Sequence, residues 1–249
     1  MRPVTYAVPK ELLPIGSTPI LDLVVEEAAG AGLEELALVV RPGKPALRAY
    51  VEARRGEPPY KGVTIEFVEQ SEPTGLADAI GLCRQFTGDQ PFAILLPDNL
   101  LMPSRSALTE MAELSEFEGC DVLGVIGVDS GRAHEYGNCG RFEYATRPDR
   151  ALAINRLIDR GPGRMHVDPG QTVLRTCGRY VCRAHLYDYL DAARDPHADD
   201  WDERAAYKLL MKDHRLLGSV LHGKHFDVGN PDGYLSACAH AAQLRDHHR

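Results

Sequence analysis

The chain has no apolar stretch long enough to cross a membrane, and no charged-then-apolar signal pattern stands at its beginning. Its six cysteines form no Cys-x-x-Cys pair, and its histidines show no metal-ligand spacing with one another or with cysteine. These absences argue against a membrane anchor, a zinc site and a disulfide framework. We therefore expect buried free thiols and a cytoplasmic location.

Positive charge is also scarce. Lys and Arg number 28 against 36 Asp and Glu, which leaves a formal net charge of −8. Such a balance excludes nucleic acid and anionic membranes as main partners, although local Lys and Arg side chains can still bind a single polyphosphate ligand. The 249 residues, 44% of them hydrophobic, suffice for one core, and the chain has no repeat or linker. We predict a single domain over residues 1–249.

Strand-like and helix-like stretches alternate through the first two-thirds of the chain. The pattern predicts helices over Ile20–Ala31, Pro45–Arg54, Leu76–Arg84 and Ser104–Leu114, and strands over Leu36–Val40, Val63–Val68, Phe92–Leu96 and Val122–Val128. Beyond Tyr136 the chain is less regular, with helices predicted over Asp202–Met211 and Tyr234–Leu244. This alternation is typical of an α/β fold whose sheet is mainly parallel and carries helices on both faces.

Three short runs have residue types suited to nucleotide chemistry. Lys10 lies in a proline-braced run, Val8–Gly16, where it can present a point charge to a phosphate. Gln70 and Gly75 lie between a strand and a helix, where an amide can pair with a base edge and the backbone can approach a ligand. Asp98 follows a buried strand and can hold Mg²⁺ against phosphate oxygens.

Each of these residues also has an ordinary structural interpretation. Lys10 is compatible with a surface lysine in a braced turn, and the stretch from Gln70 to Gly75 with a plain strand-to-helix connection. Asp98 is compatible with a cap on the following turn. The acidic run Asp199–Glu203 is best explained as a charged helix N-terminus rather than a ligand set.

From about Thr5 to Leu244 the chain resembles the sugar-1-phosphate nucleotidylyltransferase family, most closely the bacterial UTP–glucose-1-phosphate uridylyltransferases. The resemblance rests on Pro-Lys-Glu-Leu-Leu-Pro at 9–14, Gln70 with Gly75-Leu76, Leu-Pro-Asp ending at Asp98, and Gly-Lys-His-Phe-Asp-Val-Gly-Asn around Asp227. It implies that Lys10 contacts the nucleotide phosphates, that Gln70 and Gly75 recognise the pyrimidine, and that Asp98 and Asp227 bind Mg²⁺.

The same resemblance implies sugar contacts in the second half. Tyr136-Gly137 is similar to a Tyr-Gly pair whose backbone lies against the hexose, and Gly178 belongs to a Gly-Arg-Tyr strand that helps to place the sugar. Asp159-Arg160 stands where the family has Glu-Lys, which bind the sugar hydroxyls and the sugar phosphate. Both residues differ from the family although charge sign is kept, and an exposed acid–base pair is a competing interpretation.

The resemblance also implies a fold: a three-layer α/β/α, Rossmann-like nucleotide-diphospho-sugar transferase fold with a mainly parallel mixed sheet. Residues 1–130 would form the nucleotide-binding half and residues 131–249 the sugar-binding half. The family's first strand and glycine-rich phosphate loop have no counterpart here, so we expect two unpaired strand edges inside the fold. A start at an internal Met and a true short form both explain this beginning.

Two functional hypotheses follow. The first is a Mg²⁺-dependent nucleotidyltransferase that converts a nucleoside triphosphate and a sugar 1-phosphate into a nucleotide sugar and pyrophosphate, with Lys10 and Arg160 as catalytic residues. UTP is preferred to dTTP as its triphosphate, and glucose 1-phosphate to other hexose 1-phosphates or a cyclitol phosphate as its acceptor. The second is a catalytically silent nucleotide-sugar binding or regulatory protein on the same fold. The sequence leaves the sugar open, and homo-oligomer formation, which is frequent in the family, remains compatible with it.

Overall fold

A computed structural model of the chain describes residues 4–102, 107–137, 140–159, 163–195 and 200–246. The helices are α1 (Ile20–Gly30), α2 (Pro45–Ala53), α3 (Leu76–Leu82), α4 (Arg84–Thr87), α5 (Ala107–Glu118), α6 (Leu186–Ala192), α7 (Glu203–Leu210) and α8 (Pro231–Asp246). The strands are β1 (Pro14–Ile15), β2 (Thr18–Pro19), β3 (Glu35–Val40), β4 (Thr64–Glu69), β5 (Phe92–Leu95), β6 (Asn99–Met102), β7 (Asp121–Asp129), β8 (Phe142–Thr146), β9 (Leu152–Leu157), β10 (Thr172–Cys182), β11 (Leu216–Val220) and β12 (Lys224–Asp227). Short 3₁₀ turns lie at Val4–Tyr6, Lys10–Leu12 and Ala133–Glu135.

The central sheet has six strands in the order β5, β10, β7, β11, β9, β8. It is mixed, as predicted, but β7–β11 is its parallel pair and the other ladders are antiparallel. Both β5 and β7 run antiparallel to β10, so they point the same way, as strand–helix alternation predicts. The sheet is less parallel than the strand–helix alternation predicts, because β10, which comes much later in the chain, inserts between β5 and β7.

Strand β7 shows why the sheet lies between two helical layers. Leu123 and Val125 face the apolar cluster that contains residues of α3, α6 and α7. Val122 and Ile126 face the opposite cluster, which contains residues of α5. Successive strand residues point to opposite faces of a sheet, and here both faces are apolar and buried. The predicted three-layer α/β/α arrangement is confirmed.

A second, smaller sheet pairs β3 with β4 in parallel, and it joins no strand of the central sheet within the described residues. Helix α1 packs against it through Leu21 and Val25, which share a buried cluster with α2. The described parts of β3 and β5 each have a strand partner on one side alone. The strands β4 and β8 are terminal in their sheets in the same way.

Two of the opening expectations can be compared with the structure. In the described ranges, every helix falls short of the length and apolarity that a membrane crossing requires. The five described cysteines are free thiols, and Cys120, Cys177 and Cys182 are buried. Cys139 lies outside the described residues.

Candidate active site

A cleft of about 380 Å³ opens where β5 and β12 end, beside the middle of β10. Four of the residues singled out from the sequence line it, namely Lys10, Asp98, Gly178 and Asp227. Their positions in the chain span more than two hundred residues, so the topology of the sheet is what brings them together. The loop after β5 supplies Asp98, and the end of β12 supplies Asp227.

Asp98 is held by two hydrogen bonds in the turn that follows β5. Its Oδ2 accepts a hydrogen bond from Lys10 Nζ at 2.8 Å, and its Oδ1 accepts one from Asn99 Nδ2 at 3.0 Å. Burial raises the pKa of Asp98, but the charge and hydrogen bond of Lys10 outweigh this and hold the pKa below its ordinary value. Asp98 is therefore an ionised carboxylate at neutral pH.

Asp227 lies beside Asp98, but its pKa is shifted in the opposite direction. Burial raises the pKa of Asp227 above its ordinary value; the charge of Arg175 opposes this rise, and the charge of Asp98 adds to it. The two carboxylates repel each other because the surrounding cations only partly offset their charge. A divalent cation between them would remove that repulsion.

Gly229 leaves space between the two carboxylates. A Cβ added there would lie 3.2 Å from Asp227 Oδ1 and 3.4 Å from Asp98 Oδ2. Two carboxylates that converge on an open position, with substrate phosphates as further oxygen ligands, are the kind of donor set that suits Mg²⁺. No group of three or more acidic, His or Cys side chains able to hold a metal occurs in the described ranges. The donor set fits a cation shared between protein and phosphate.

Gly178 lies where β10 passes closest to the Asp98 turn. Its φ is +69°, and a Cβ there would lie 3.0 Å from the Cβ atoms of Leu96 and Asn99. The carbonyl of Gly178 accepts a hydrogen bond from the Leu96 N–H at 2.9 Å. A side chain at this position would separate β10 from the turn, so glycine is required there for the cleft to form.

Gln70 and Gly75, predicted to recognise a base, form a closed turn next to the cleft. The Gln70 amide nitrogen donates to Gly75 O at 3.0 Å and to Asp78 Oδ2 at 2.9 Å. The backbone of Trp201 and the carboxylate of Asp200 lie directly on Gly75. Trp201 N–H donates to Thr74 O at 2.6 Å. In this conformation, both amide hydrogens of Gln70 serve the turn itself.

Tyr136 and Gly137 lie on the other side of Asp227. Tyr136 is fully buried, and its hydroxyl donates to the carbonyl of His225 at 2.8 Å. Gly137 N–H points to Asp227 Oδ2 at 3.4 Å. The Tyr136 side chain therefore supports β12, and Gly137 contacts Asp227, but neither residue is among those that line the cleft.

Asp159 lies outside the cleft in this structure. Its side chain is 78% exposed, accepts a hydrogen bond from Lys208 Nζ at 2.5 Å, and lines a neighbouring cavity of about 620 Å³. The two cavities share Leu157 as part of their walls. Lys208 holds the Asp159 carboxylate in that neighbouring cavity, outside the cleft that contains Asp98 and Asp227. A sugar contact by Asp159 stays a prediction. Arg160 lies outside the described residues.

The cleft also contains charged residues that sequence reasoning missed. Arg175 and Glu203 line the cleft, and they are only 3% and 4% exposed to solvent. The Arg175 guanidinium lies 5.0 Å from the Tyr136 ring centre. Glu203 is the first residue of α7, and its carboxylate is 3.4 Å from the Tyr180 hydroxyl. The signal that could have revealed them is a charged residue inside an otherwise apolar strand or beside a helix cap.

Comparison with known proteins agrees with this geometry. The chain is 29% identical to UTP–glucose-1-phosphate uridylyltransferase 2 of Staphylococcus saprophyticus, over 94% of this chain and 84% of that protein. It is 27% identical to the UTP–glucose-1-phosphate uridylyltransferase of Bacillus subtilis, over 98% of this chain and 88% of that protein.

Solved structures give the same fold. A crystal structure of UDP-glucose pyrophosphorylase complexed with UDP-glucose superposes with a TM-score of 0.81 and 24% identity, covering 98% of this chain and 94% of that one. A UTP-bound UGPase from Acinetobacter baumannii superposes with a TM-score of 0.78 and 23% identity, covering 96% and 88%.

The family model described as nucleotidyl transferase matches residues 1–243, which is nearly the whole chain. Together with the convergence of Lys10, Asp98 and Asp227 in one cleft, this match places the chain in the nucleotidyl transferase family.

Proposed function

We propose that this chain transfers a uridylyl group from UTP to the phosphate of glucose 1-phosphate, giving UDP-glucose and pyrophosphate. The observation that carries the proposal is the pair of carboxylates, Asp98 and Asp227, which converge beside Lys10 in a cleft of about 380 Å³. Family membership and the named activities of the relatives support the choice of UTP and glucose 1-phosphate.

In the proposed reaction, an oxygen of the sugar phosphate attacks the α-phosphorus of the triphosphate, and pyrophosphate leaves in line with the attack. Such a transfer depends on alignment and charge neutralisation more than on proton transfer. Asp98 and Asp227 would hold Mg²⁺, which neutralises phosphate charge when it is bound. Lys10 would leave Asp98 for the nucleotide phosphates and offset the charge that develops there.

The remaining contacts are assigned from the resemblance to the family. We assign Gln70 and Gly75 to the base, Tyr136, Gly137 and Gly178 to the sugar through their backbone, and Arg160 to the sugar phosphate. Asp159 can reach a sugar hydroxyl after it releases Lys208. Glu203 offers a second, buried carboxylate inside the cleft itself. Under this assignment residues 1–130 bind the nucleotide and residues 131–249 bind the sugar.

A pyrophosphate-release assay with UTP, dTTP, CTP, ATP and GTP, each paired with several sugar 1-phosphates, tests the activity. We expect turnover with UTP and glucose 1-phosphate that depends on Mg²⁺. Asp98→Asn and Asp227→Asn should each lower the rate by ~10²–10³-fold, as is typical for the loss of one preorganised charge contact.

Asp188→Asn is the matched control, because Asp188 is a 73% exposed carboxylate on α6 that pairs with Arg84. It should leave the rate within about twofold of wild type. Asp227→Asn should at the same time raise the free energy of unfolding near neutral pH, since it removes a buried charge that burial and Asp98 disfavour. Wild-type turnover in the Asp98 and Asp227 variants would rule out this site.

A silent binding protein is the second candidate, and one observation favours it. Asp159 stands where the family has its sugar-binding Glu, and it is bound to Lys208 outside the cleft, so a group expected to orient the sugar for transfer is not in the described lining of the cleft. Calorimetric titration separates the two candidates. Binding of UDP-glucose without release of pyrophosphate from UTP would support the silent protein, and turnover would exclude it.

A further inference from the structure

A buried ion pair lies directly behind the Asp98 turn. Arg179 of β10 and Glu27 of α1 are joined by two hydrogen bonds of 2.7 Å, from Nε to Oε1 and from Nη2 to Oε2. Their side chains are 1% and 2% exposed. A buried pair of this kind adds little net stability, because removing two charges from water offsets their attraction. Its presence therefore calls for an explanation other than stability.

The guanidinium of Arg179 makes further hydrogen bonds, which indicate a role for the ion pair in the neighbouring turn. Its Nη1 donates to the carbonyl oxygens of Leu96 and Gly178, each at 3.1 Å. Leu96 is the residue before Pro97, and proline has no N–H with which to anchor the turn. The Leu96 carbonyl, which also accepts from Asn99 N–H at 3.1 Å, is thus a main anchor of the loop that carries Asp98.

The same loop is bonded to the strand that carries Asp227. Val228 N–H donates to the carbonyl of Asp98 at 2.8 Å, and Asp227 stands opposite Asn99 in the β6–β12 ladder. A shift of the Leu96–Asn99 turn would therefore change the separation between the two carboxylates. Arg179 makes no hydrogen bond to either carboxylate; it binds the backbone of the Asp98 turn, and its charge also acts on Asp98.

Glu27 connects this arrangement to Lys10. Helix α1 begins at Ile20, whose N–H donates to Leu13 O at 3.0 Å, one residue after the 3₁₀ turn that contains Lys10. One rigid helix is thus tied to the Lys10 segment at its N-terminus and to Arg179 near its C-terminus. Lys10 Nζ and Asp98 Oδ2, which are 2.8 Å apart, are held from the two ends of this helix.

We propose that the Glu27–Arg179 pair is a positioning device that sets Asp98 against Lys10 and Asp227. Its catalytic consequence rests on the function proposed above, whereas its structural consequence does not. Groups that orient a metal-binding carboxylate typically contribute ~10–100-fold to metal affinity or activity.

The test uses Glu27→Gln, which keeps the shape but removes the charge, and Arg179→Lys, which keeps the charge but loses the fork. Asp22→Asn is the matched control. Asp22 is also a buried carboxylate of α1, but it accepts hydrogen bonds from Tyr50, Tyr60 and Arg54 in another cluster. The Mg²⁺ concentration at half-maximal rate, kcat and KM for UTP are measured for each variant.

We expect Glu27→Gln and Arg179→Lys to raise the half-saturating Mg²⁺ concentration about tenfold and to lower kcat. Asp22→Asn should lower the melting temperature but leave the Mg²⁺ requirement unchanged. If the pair were merely structural, all three variants would show the same half-saturating Mg²⁺ concentration and the same kcat. That result would overturn the proposal.

A second readout needs no turnover and so separates failure of this proposal from failure of the proposed function. Amide hydrogen exchange at Asn99 and Val228 reports the two hydrogen bonds of the turn. Both rates should rise about tenfold in Glu27→Gln beyond the rise in Asp22→Asn. Equal exchange in the two variants would refute positioning. If neither Glu27→Gln nor Arg179→Lys folds, the pair is required for folding itself and the proposal is wrong.

Discussion

At the scale of single residues, Gly75 is constrained in two ways. Its φ of +116° lies in the region that favours glycine, and a Cβ would lie 2.4 Å from the carbonyl oxygen of Trp201. That oxygen also accepts a hydrogen bond from Ala77 N–H at 3.1 Å, so it is fixed on both sides. The turn therefore requires glycine at position 75.

Gly75→Ala should therefore lower the free energy of unfolding by about 3 kcal/mol, the sum of backbone strain and a clash with backbone atoms. Urea denaturation followed by circular dichroism measures this loss. Gly88→Ala is the matched control, since Gly88 has a φ of +57° and open space around its Cβ position. Its ψ of −135° places Gly88, like Gly75, outside the left-handed helical region, so Gly88→Ala adds backbone strain without a clash and should cost about 1–2 kcal/mol. Equal losses would show that Trp201 does not constrain the turn.

At the scale of elements, helix α7 depends on its cap for the shape of the cleft wall. Asp202 Oδ1 accepts a hydrogen bond from Arg204 N–H at 2.9 Å, and the same carboxylate binds the Arg204 side chain. Glu203 and Arg204, which follow the cap, line the cleft. The cap thereby fixes two charged side chains as well as the helix start.

Asp202→Ala should destabilise the protein by about 1 kcal/mol, the usual cost of losing an N-cap. Asp202→Asn retains a capping oxygen and should recover most of that stability, although its contact with Arg204 loses charge. The comparison of the two variants by urea denaturation isolates the cap. Wild-type stability in Asp202→Ala would contradict this account.

Local elements could be predicted from sequence, but their partners could not. The strand predicted over Leu36–Val40 is found at Glu35–Val40, and the helix predicted over Ile20–Ala31 at Ile20–Gly30. Apolar periodicity is a local property and reports these elements directly. The antiparallel insertion of β10 is a long-range property, and nothing in the periodicity of Thr172–Cys182 specifies its neighbours.

The same distinction applies to the cleft. Asp98 was predictable because an acid after a buried strand is a local pattern, and resemblance added Asp227. Arg175 and Glu203 were missed because only the tertiary placement of β10 and α7 turns them into the cleft. The sequence also does not show that Lys208 binds the Asp159 carboxylate and holds it in the neighbouring cavity.

At the scale of the whole molecule, one buried histidine couples stability to pH. His225 is 3% exposed and stacks on Tyr136 with ring centres 5.6 Å apart. Burial lowers the pKa of His225 well below its ordinary value, and the charges of Arg175, Arg179 and Arg132 lower it further. The folded protein therefore keeps His225 neutral under conditions in which the unfolded chain binds a proton.

Because the unfolded state binds the extra proton, the free energy of unfolding should fall as pH drops below about 6.5, by up to about 1.4 kcal/mol per pH unit. His225→Phe preserves the ring stack and should flatten this slope in denaturation measured between pH 5 and 7. His166→Gln, which alters an 88% exposed imidazole, is the control and should leave the slope unchanged. An unchanged slope in His225→Phe would assign the effect to other groups.

The contact between Lys10 and Asp98 links residues 88 positions apart and has a thermodynamic consequence. A phosphate that draws Lys10 away leaves Asp98 with uncompensated charge, so a cation binds there more tightly. Reciprocity then requires that the cation strengthen phosphate binding by the same factor. Under the proposed function the lysine would compete with the metal for Asp98, and the nucleotide and its counter-ion would bind in the cleft cooperatively.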